Sequence, residues 1–293
     1  MKYWNEYYGH NIKEVGNKKK YDNTIMSFDI ETTSYLIYNN ELIETKKYEE
    51  YTKEQQRNIK KQSCMYIWMF SINTDVYYGR TWSEFIQFLN LLEEYDNLKK
   101  IVFVHNLSFE FQYIKSILKF KEVFARKERK PIKAEAEDYN IEFRCSYMMS
   151  NCSLDYLPKL YNLPIKKLVG NLDYTKIRHT ETKLNKKELA YCENDCLVVY
   201  YYIKEELKKY HTINKIPITS TGHLRRELQE RIEKNWSYKN KVKKDINTDG
   251  HIFNLLQDAF MRTDIHMRIG FMQIESYLML IHSISLVRIR LSL

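Results

Sequence analysis

Hydrophobic and polar positions along this chain follow two rhythms, one of period two and one of helical period. Residues 24–33, TIMSFDIETT, read as a strand. The charged run from Glu41 to Gln62 breaks the pattern and reads as an insertion or a solvated helix. SCMYIWMFSINTDVYYGRT then gives two strands around Asn73-Thr74-Asp75, a turn signal. From Trp82 to Tyr95 the apolar residues Phe85, Phe88, Leu89 and Leu92 fall at helical spacing, with Ser83 as the expected N-cap. KKIVFVHN predicts a short apolar strand and SFEFQYIKSILKF a helix, followed over 123–149 by a β-hairpin with a basic tip at Arg126 to Lys133. A helix around Leu154 to Leu160, a loop through Gly170 and a long helix from about Asn185 to Tyr210 come next. A further helix begins near Thr221, capped by Ser220 or Thr221. The order of these elements predicts a mixed α/β sheet covered by helices, with no internal repeat.

Composition narrows the classes. The chain has 293 residues, 29 % of them charged and 44 % hydrophobic, with no apolar run long enough to span a bilayer. The start, MKYWNEYYGHNIKEVGNKKK, lacks the apolar core of a signal peptide, which argues against secretion. Five cysteines without metal-like pairs fit a reducing compartment, so a cytoplasmic location is expected. Cys192 and Cys196 read as packing residues on the long helix. A net charge of +9 with 25 tyrosines suits a polyanion with exposed bases. Seven glycines and four prolines fit equally an AT-rich coding bias, so composition permits nucleic-acid binding without requiring it.

One detail of the first strand changes the picture. Asp29 and Glu31 stand two positions apart, on the same side of an apolar strand. Two such carboxylates repel and lose hydration unless a cation neutralises them. Two more segments add acids. In VFVHNLSFEFQYI a strand ends at His105-Asn106, and Glu110 follows in the first turn of the next helix. In ELAYCENDCLVVYYYI, Tyr191 and Asp195 are four residues apart and share a helix face, with Leu197, Val198 and Val199 beside them. The chain therefore carries, in order, a DxE strand, an N-x-x-x-E junction and a Y-x-x-x-D helix.

These three segments resemble the ExoI, ExoII and ExoIII motifs of the 3′–5′ exonuclease domain of family B DNA polymerases, in particular the protein-primed polymerases of small phages and linear plasmids. Asp29-Ile30-Glu31-Thr32 is similar to the DIET core, His105 to Glu110 to the HNLxFD segment, and Tyr191 to Asp195 to the YxxND segment. Ser153-Leu154, Leu172-Asp173-Tyr174 up to Arg178, and IPITSTGHLRR (216–226) extend the likeness over roughly residues 22–261. The resemblance implies a ribonuclease H-like (DnaQ-like) fold and two divalent ions, Mg²⁺ or Mn²⁺, at the scissile phosphate. Hard cations prefer oxygen ligands, in keeping with carboxylates and no His or Cys cluster. By that resemblance Asp29 bridges both ions, Glu31 and Asp195 complete one, Glu110 holds the other through water, and Tyr191 orients the attacking water. Thr32, His105, Asn106, Phe109, Ser153, Leu154 and Tyr174 match positions that bind the single-stranded DNA 3′ end. Two departures stand out: Glu110 occupies the place of an Asp, and Val169 occupies the place of a catalytic Lys, which Lys166 or Lys167 would have to replace.

The resemblance divides the chain into an N-terminal extension (1–22), an exonuclease domain (23–212), the start of a polymerase domain (213–261) and a tail (262–293). It adds primer–template DNA and a terminal (priming) protein to the expected partners, with no membrane. A free-standing DnaQ-like nuclease and a non-catalytic DNA- or terminal-protein-binding module are the rival readings. The tail is expected to be out of frame after Met261. Codons starting at the third base of the existing ones let 262–269 encode DGYTHAN and 277–293 encode FDVDSFDITSSYPTVI, both polymerase-like. Four of the ten methionines and only two acids, Asp264 and Glu275, fall in 261–293. The chain would then lack the polymerase palm.

Overall fold

A computed structural model of the chain describes residues 1–43, 45–168 and 176–234. The strands are β1 (Lys2–Tyr3), β2 (Glu14–Val15), β3 (Tyr21–Asp22), β4 (Met26–Tyr38), β5 (Glu41–Ile43), β6 (Lys60–Ile72), β7 (Asp75–Gly79), β8 (Lys100–Val104), β9 (Phe120–Lys127), β10 (Lys130–Ala136) and β11 (Ile141–Cys145). The helices are α1 (Lys53–Asn58), α2 (Trp82–Tyr95), α3 (Leu107–Ile114), α4 (Ser146–Ser150), α5 (Leu157–Leu160), α6 (Lys186–Tyr210) and α7 (Ser220–Lys234). The sheet and the helices around it belong to one compact unit, Met1–Arg225. The proposed out-of-frame tail lies outside the described residues.

The expected mixed sheet is present. Its strand order is β1-β7-β6-β4-β8-β11-β10-β9, with β5 added beside β4. At its centre β4 runs antiparallel to β6 and parallel to β8, and β8 runs parallel to β11. The alternation along β4 sorts its side chains between two cores. Met26, Phe28 and Ile30 face α2, where Phe85, Phe88, Leu89 and Leu92 are fully buried. Ile25 and Ser27 face α6, and the Ser27 hydroxyl donates to the Cys196 carbonyl at 3.2 Å. Asp29 and Glu31 share this second parity, so the two acids look toward α6.

The register of β4 on β6 slips between Glu31 and Thr32. Glu31 pairs with Ile67, Thr32 with Met65, and Tyr66 is left over as the bulged residue. Tyr66 and Ile67 consequently pack on the same side, with Met69 and α6, while Met65 and Trp68 join the α2 side. Helix α6 is held from its first turn. The Asn185 side chain accepts from the Lys187 and Glu188 amides, and the Glu188 carboxylate returns a bond to the Asn185 amide.

Several sequence expectations are refined. Thr81, not Ser83, caps α2, because its hydroxyl accepts from the Glu84 amide. Thr219, not Ser220 or Thr221, accepts from the Gly222 amide at the start of α7. The charged Glu41–Gln62 region is not one element: it holds β5, a 3₁₀ segment and α1, and ends in the first residues of β6. The strand read over 24–33 runs on to Tyr38, because β6 keeps pairing with it as far as Lys60. The basic hairpin is β9–β10, and β11 returns to the sheet centre beside β8. Lys2–Tyr3 of the N-terminal extension joins the sheet edge beside β7, and Tyr7 is buried in the α2 core.

Candidate active site

Three elements bring four acids to one place. Strand β4 supplies Asp29 and Glu31, α3 supplies Glu110, and α6 supplies Tyr191 and Asp195. Carboxylate oxygens of Asp29, Glu31 and Asp195 lie within 4.8 Å of one another. Glu110 closes the group, its carboxyl within hydrogen-bonding reach of Asp29. Two carboxyl groups can share a hydrogen bond only when one of them carries a proton. All four line a cavity of about 200 Å³, whose walls also include His105, Phe109, Leu154 and Lys167.

Local structure explains how each acid arrives. Strand β8 ends at Val104, and Asn106 takes a left-handed backbone (φ 71°) that turns the chain directly into α3. Asparagine adopts this conformation more readily than most residues. The sharp turn places Glu110 in the first helical turn and buries it to 4 % exposure. One turn separates Tyr191 from Asp195 along α6, so both look toward β4. Their neighbours Cys192 and Cys196 are buried and free, filling space between α6 and the sheet as the sequence suggested.

The electrostatics follow from crowding in a dry site. Burial, and then the Asp195 charge, lift the Asp29 carboxyl to about 7. Burial and the Asp29 charge lift Glu31 to about 8. Burial pushes Glu110 well above the carboxylate range, with Asp29 adding to it. Asp195 is raised by burial against the opposing Lys167 ammonium, which donates to its Oδ2 at 3.1 Å. Burial and the Lys167 charge push the His105 imidazole down to about 4, so it is neutral near pH 7, and its Nδ1 lies 3.0 Å from the Ser146 hydroxyl.

This donor set fits divalent metal. It is all oxygen, strongly self-repelling, and holds buried oxygens that no protein group satisfies: Glu110 Oε2 and Asp195 Oδ1 have no hydrogen-bond partner. Lys167 is the cation on the cavity wall among the described residues, one ammonium against four carboxylates.

Of the two lysines offered by the sequence, Lys167 reaches the site, with its ammonium 5.6 Å from the Tyr191 ring centre. Lys166 instead contributes a backbone carbonyl to Asn194. Asn194 was missed in the sequence. Its Nδ2 donates to that carbonyl at 3.1 Å and its Oδ1 accepts from the Leu168 amide at 2.9 Å, which pins the segment bearing Lys167 onto α6. Its place beside Asp195 was the available signal. Arg178 was seen only as part of a likeness. It is buried, donates to Glu188 at 2.6 Å, and its amide donates to Thr33 Oγ1, tying β4 to the start of α6.

The expected DNA-contacting residues fall into three groups. His105, Phe109 and Leu154 form cavity wall, and Phe109 keeps 41 % exposure, unusual for a phenylalanine. Thr32, Asn106 and Ser153 lie beside the wall rather than in it. Tyr174 lies outside the described residues, as do Val169, Gly170, Leu172 and Asp173.

No family model and no curated protein sequence matches the chain. Solved structures do. The chain is similar to phi29 DNA polymerase. That polymerase complexed with single-stranded DNA aligns at a TM-score of 0.47 and 16 % identity, covering 64 % of this chain and 32 % of that one. Its ternary complex with primer–template DNA and incoming nucleotide substrates gives 0.42 and 14 %, covering 64 % and 31 %. Its orthorhombic crystal form gives 0.42 and 14 %, covering 69 % and 33 %. The match thus spans about a third of that polymerase's length. No helix among the described residues is long and apolar enough to cross a membrane.

Proposed function

We propose that this chain carries the 3′–5′ exonuclease of a protein-primed family B DNA polymerase, on a ribonuclease H-like fold, and hydrolyses single-stranded DNA from its 3′ end. The observation that carries this reading is the convergence of Asp29, Glu31, Glu110 and Asp195 on one cavity, where protein groups neutralise only part of their charge. Asp29, Glu31 and Asp195 would hold one Mg²⁺ or Mn²⁺, and Asp29 with Glu110 a second. When bound, such ions generate a hydroxide nucleophile and neutralise charge on the scissile phosphate.

The chain's own residues do the rest. Tyr191, buried on the cavity wall, orients the attacking water one helical turn from Asp195. Lys167 stands over Tyr191 and adds positive charge where the phosphate gathers negative charge. The half-exposed Phe109 ring stacks on a terminal base without reading its identity, and Leu154 flanks it. Neutral His105 is a hydrogen-bonding group rather than a competing cation. Primer–template DNA and a terminal protein are proposed partners of the longer polymerase to which such an exonuclease would belong.

The test is degradation of a 3′-labelled single-stranded oligonucleotide by the purified chain, with EDTA and with Mg²⁺ or Mn²⁺. Stepwise, metal-dependent shortening from the 3′ end is expected, and its loss in Asp29→Ala. Shortening that survives in Asp29→Ala would overturn the assignment.

A further inference from the structure

A second group of metal-ligating side chains lies outside this cavity. His10, Asp22 and Asp96 each offer a ligand atom, and the three atoms lie within 4.8 Å of one another. The side chains are 7 %, 0 % and 8 % exposed, so this is an interior site and not a solvated acidic patch. They come from three separate parts of the chain: the N-terminal loop, β3, and the segment after α2.

The hydrogen bonds leave one oxygen of Asp96 without a partner, while Asp22 and His10 meet in a direct hydrogen bond. Asp22 Oδ1 is taken by the Thr24 amide and hydroxyl, at 3.0 and 2.7 Å, while Oδ2 faces His10 Nε2 at 2.6 Å. Asp96 Oδ1 is taken by the Leu98 amide at 2.8 Å and the Lys100 ammonium at 3.0 Å. Asp96 Oδ2 is buried without any hydrogen-bond partner, which costs free energy unless something else satisfies it. His10 Nδ1 lies 2.8 Å from the Tyr7 hydroxyl, an outer contact of the kind that fixes a metal-binding imidazole and directs its other nitrogen inward.

We propose that His10, Asp22 and Asp96 bind a single structural Zn²⁺ ion, which clamps the N-terminal loop to β3 and to the end of α2. One imidazole and two carboxylates are hard-to-borderline donors suited to zinc, with a further position open to water. Tetrahedral bonds of about 2.0–2.2 Å put donors roughly 3.4 Å apart, so the three ligand atoms, now within 4.8 Å of one another, adjust on binding. Asp22 and His10 move apart from their direct contact. Lys100 stays on Asp96 Oδ1, outside the ligand set.

The experiment uses the full chain carrying Asp29→Ala and Asp195→Ala, which breaks up the other carboxylate cluster and leaves two of its four acids. Calorimetry with Zn²⁺ should give one equivalent bound, and adding Asp96→Asn should weaken binding at least tenfold with unchanged circular dichroism. Absence of a stoichiometric Zn²⁺ site, or the same affinity in the Asp96→Asn chain, would overturn the proposal. Should Asp96→Asn not fold, Co²⁺ loaded into the otherwise unsubstituted site decides. An intense visible band of low-coordinate cobalt supports it, and the weak spectrum of hydrated cobalt refutes it. Because the readout is Zn²⁺ binding lost with Asp96 in a chain already lacking Asp29 and Asp195, this result is independent of the exonuclease reading.

Discussion

Asp29 and Glu110 lie within hydrogen-bonding reach of each other, a contact that is favourable only when a proton or a cation stands between them. Removing one carboxylate therefore relieves repulsion as well as removing a ligand. Asp29→Ala should reduce nuclease activity to background while leaving the metal-free melting temperature unchanged or higher, measured by calorimetry in EDTA. A clear loss of stability would mean that Asp29 has structural work beyond metal binding. At Glu110 the two properties separate. Glu110→Asp keeps the charge one methylene back and should retain most activity. Glu110→Gln keeps the shape and should cost about 10- to 100-fold, as for other groups that act on a metal through an outer contact. Equal rates for the Gln variant and the parent would reduce Glu110 to an acid at a helix N-terminus. Lys167, which donates to Asp195 at 3.1 Å, gives a third residue-scale test. Lys167→Met should slow hydrolysis and make metal-free Asp195 harder to ionise, read as an upward move of the lower pH limit of activity.

Helix α6 is the element on which the site depends most, because it aims Tyr191 and Asp195 from a start fixed by Asn185, Glu188 and Arg178. Asn185→Ala removes the cap on the Lys187 and Glu188 amides and should cost about 1 kcal/mol. That corresponds to a fall of about 2–4 °C in melting temperature, measurable by thermal denaturation. The helix itself was legible in the sequence from Asn185 to Tyr210, as was α2, because each carries a long apolar stripe at the helical period. The acids were legible too, since a carboxylate in an apolar segment is conspicuous wherever it occurs. Caps were misread by a residue or two, because Ser, Thr and Asn neighbours compete for the same amides and only backbone geometry decides among them. Asn194 and the His10–Asp22–Asp96 group were invisible for a different reason. Their partners are distant in sequence, and nothing in a linear pattern marks His10 as close to Asp96.

At the scale of the whole molecule, the buried acids tie stability to pH. Asp29 and Glu31 titrate near 7 and 8 when folded, against about 3.9 and 4.3 in an unfolded chain. The folded state therefore binds more protons across that interval, and metal-free stability should fall as pH rises from about 4 to about 8, then level off. Melting curves in EDTA across this range should show the decline. Saturating Mn²⁺ should flatten it, because ions replace the protons. An equally steep decline in Asp29→Ala would assign the effect to other groups. The bulge at Tyr66 carries a different whole-molecule consequence. By letting two neighbouring residues of β6 share one side, it makes the parity of residue count, and not only composition, decide which core each later side chain enters. Deleting Tyr66 would restore strict alternation and leave Met65 on the α2 side and Ile67 on the α6 side, because both already keep the pairing that a bulge-free strand would give them. Deleting Tyr66 should thus be tolerated better than deleting Trp68, which would force Ile67 onto the α2 side, and the melting temperatures of the two shortened chains check this.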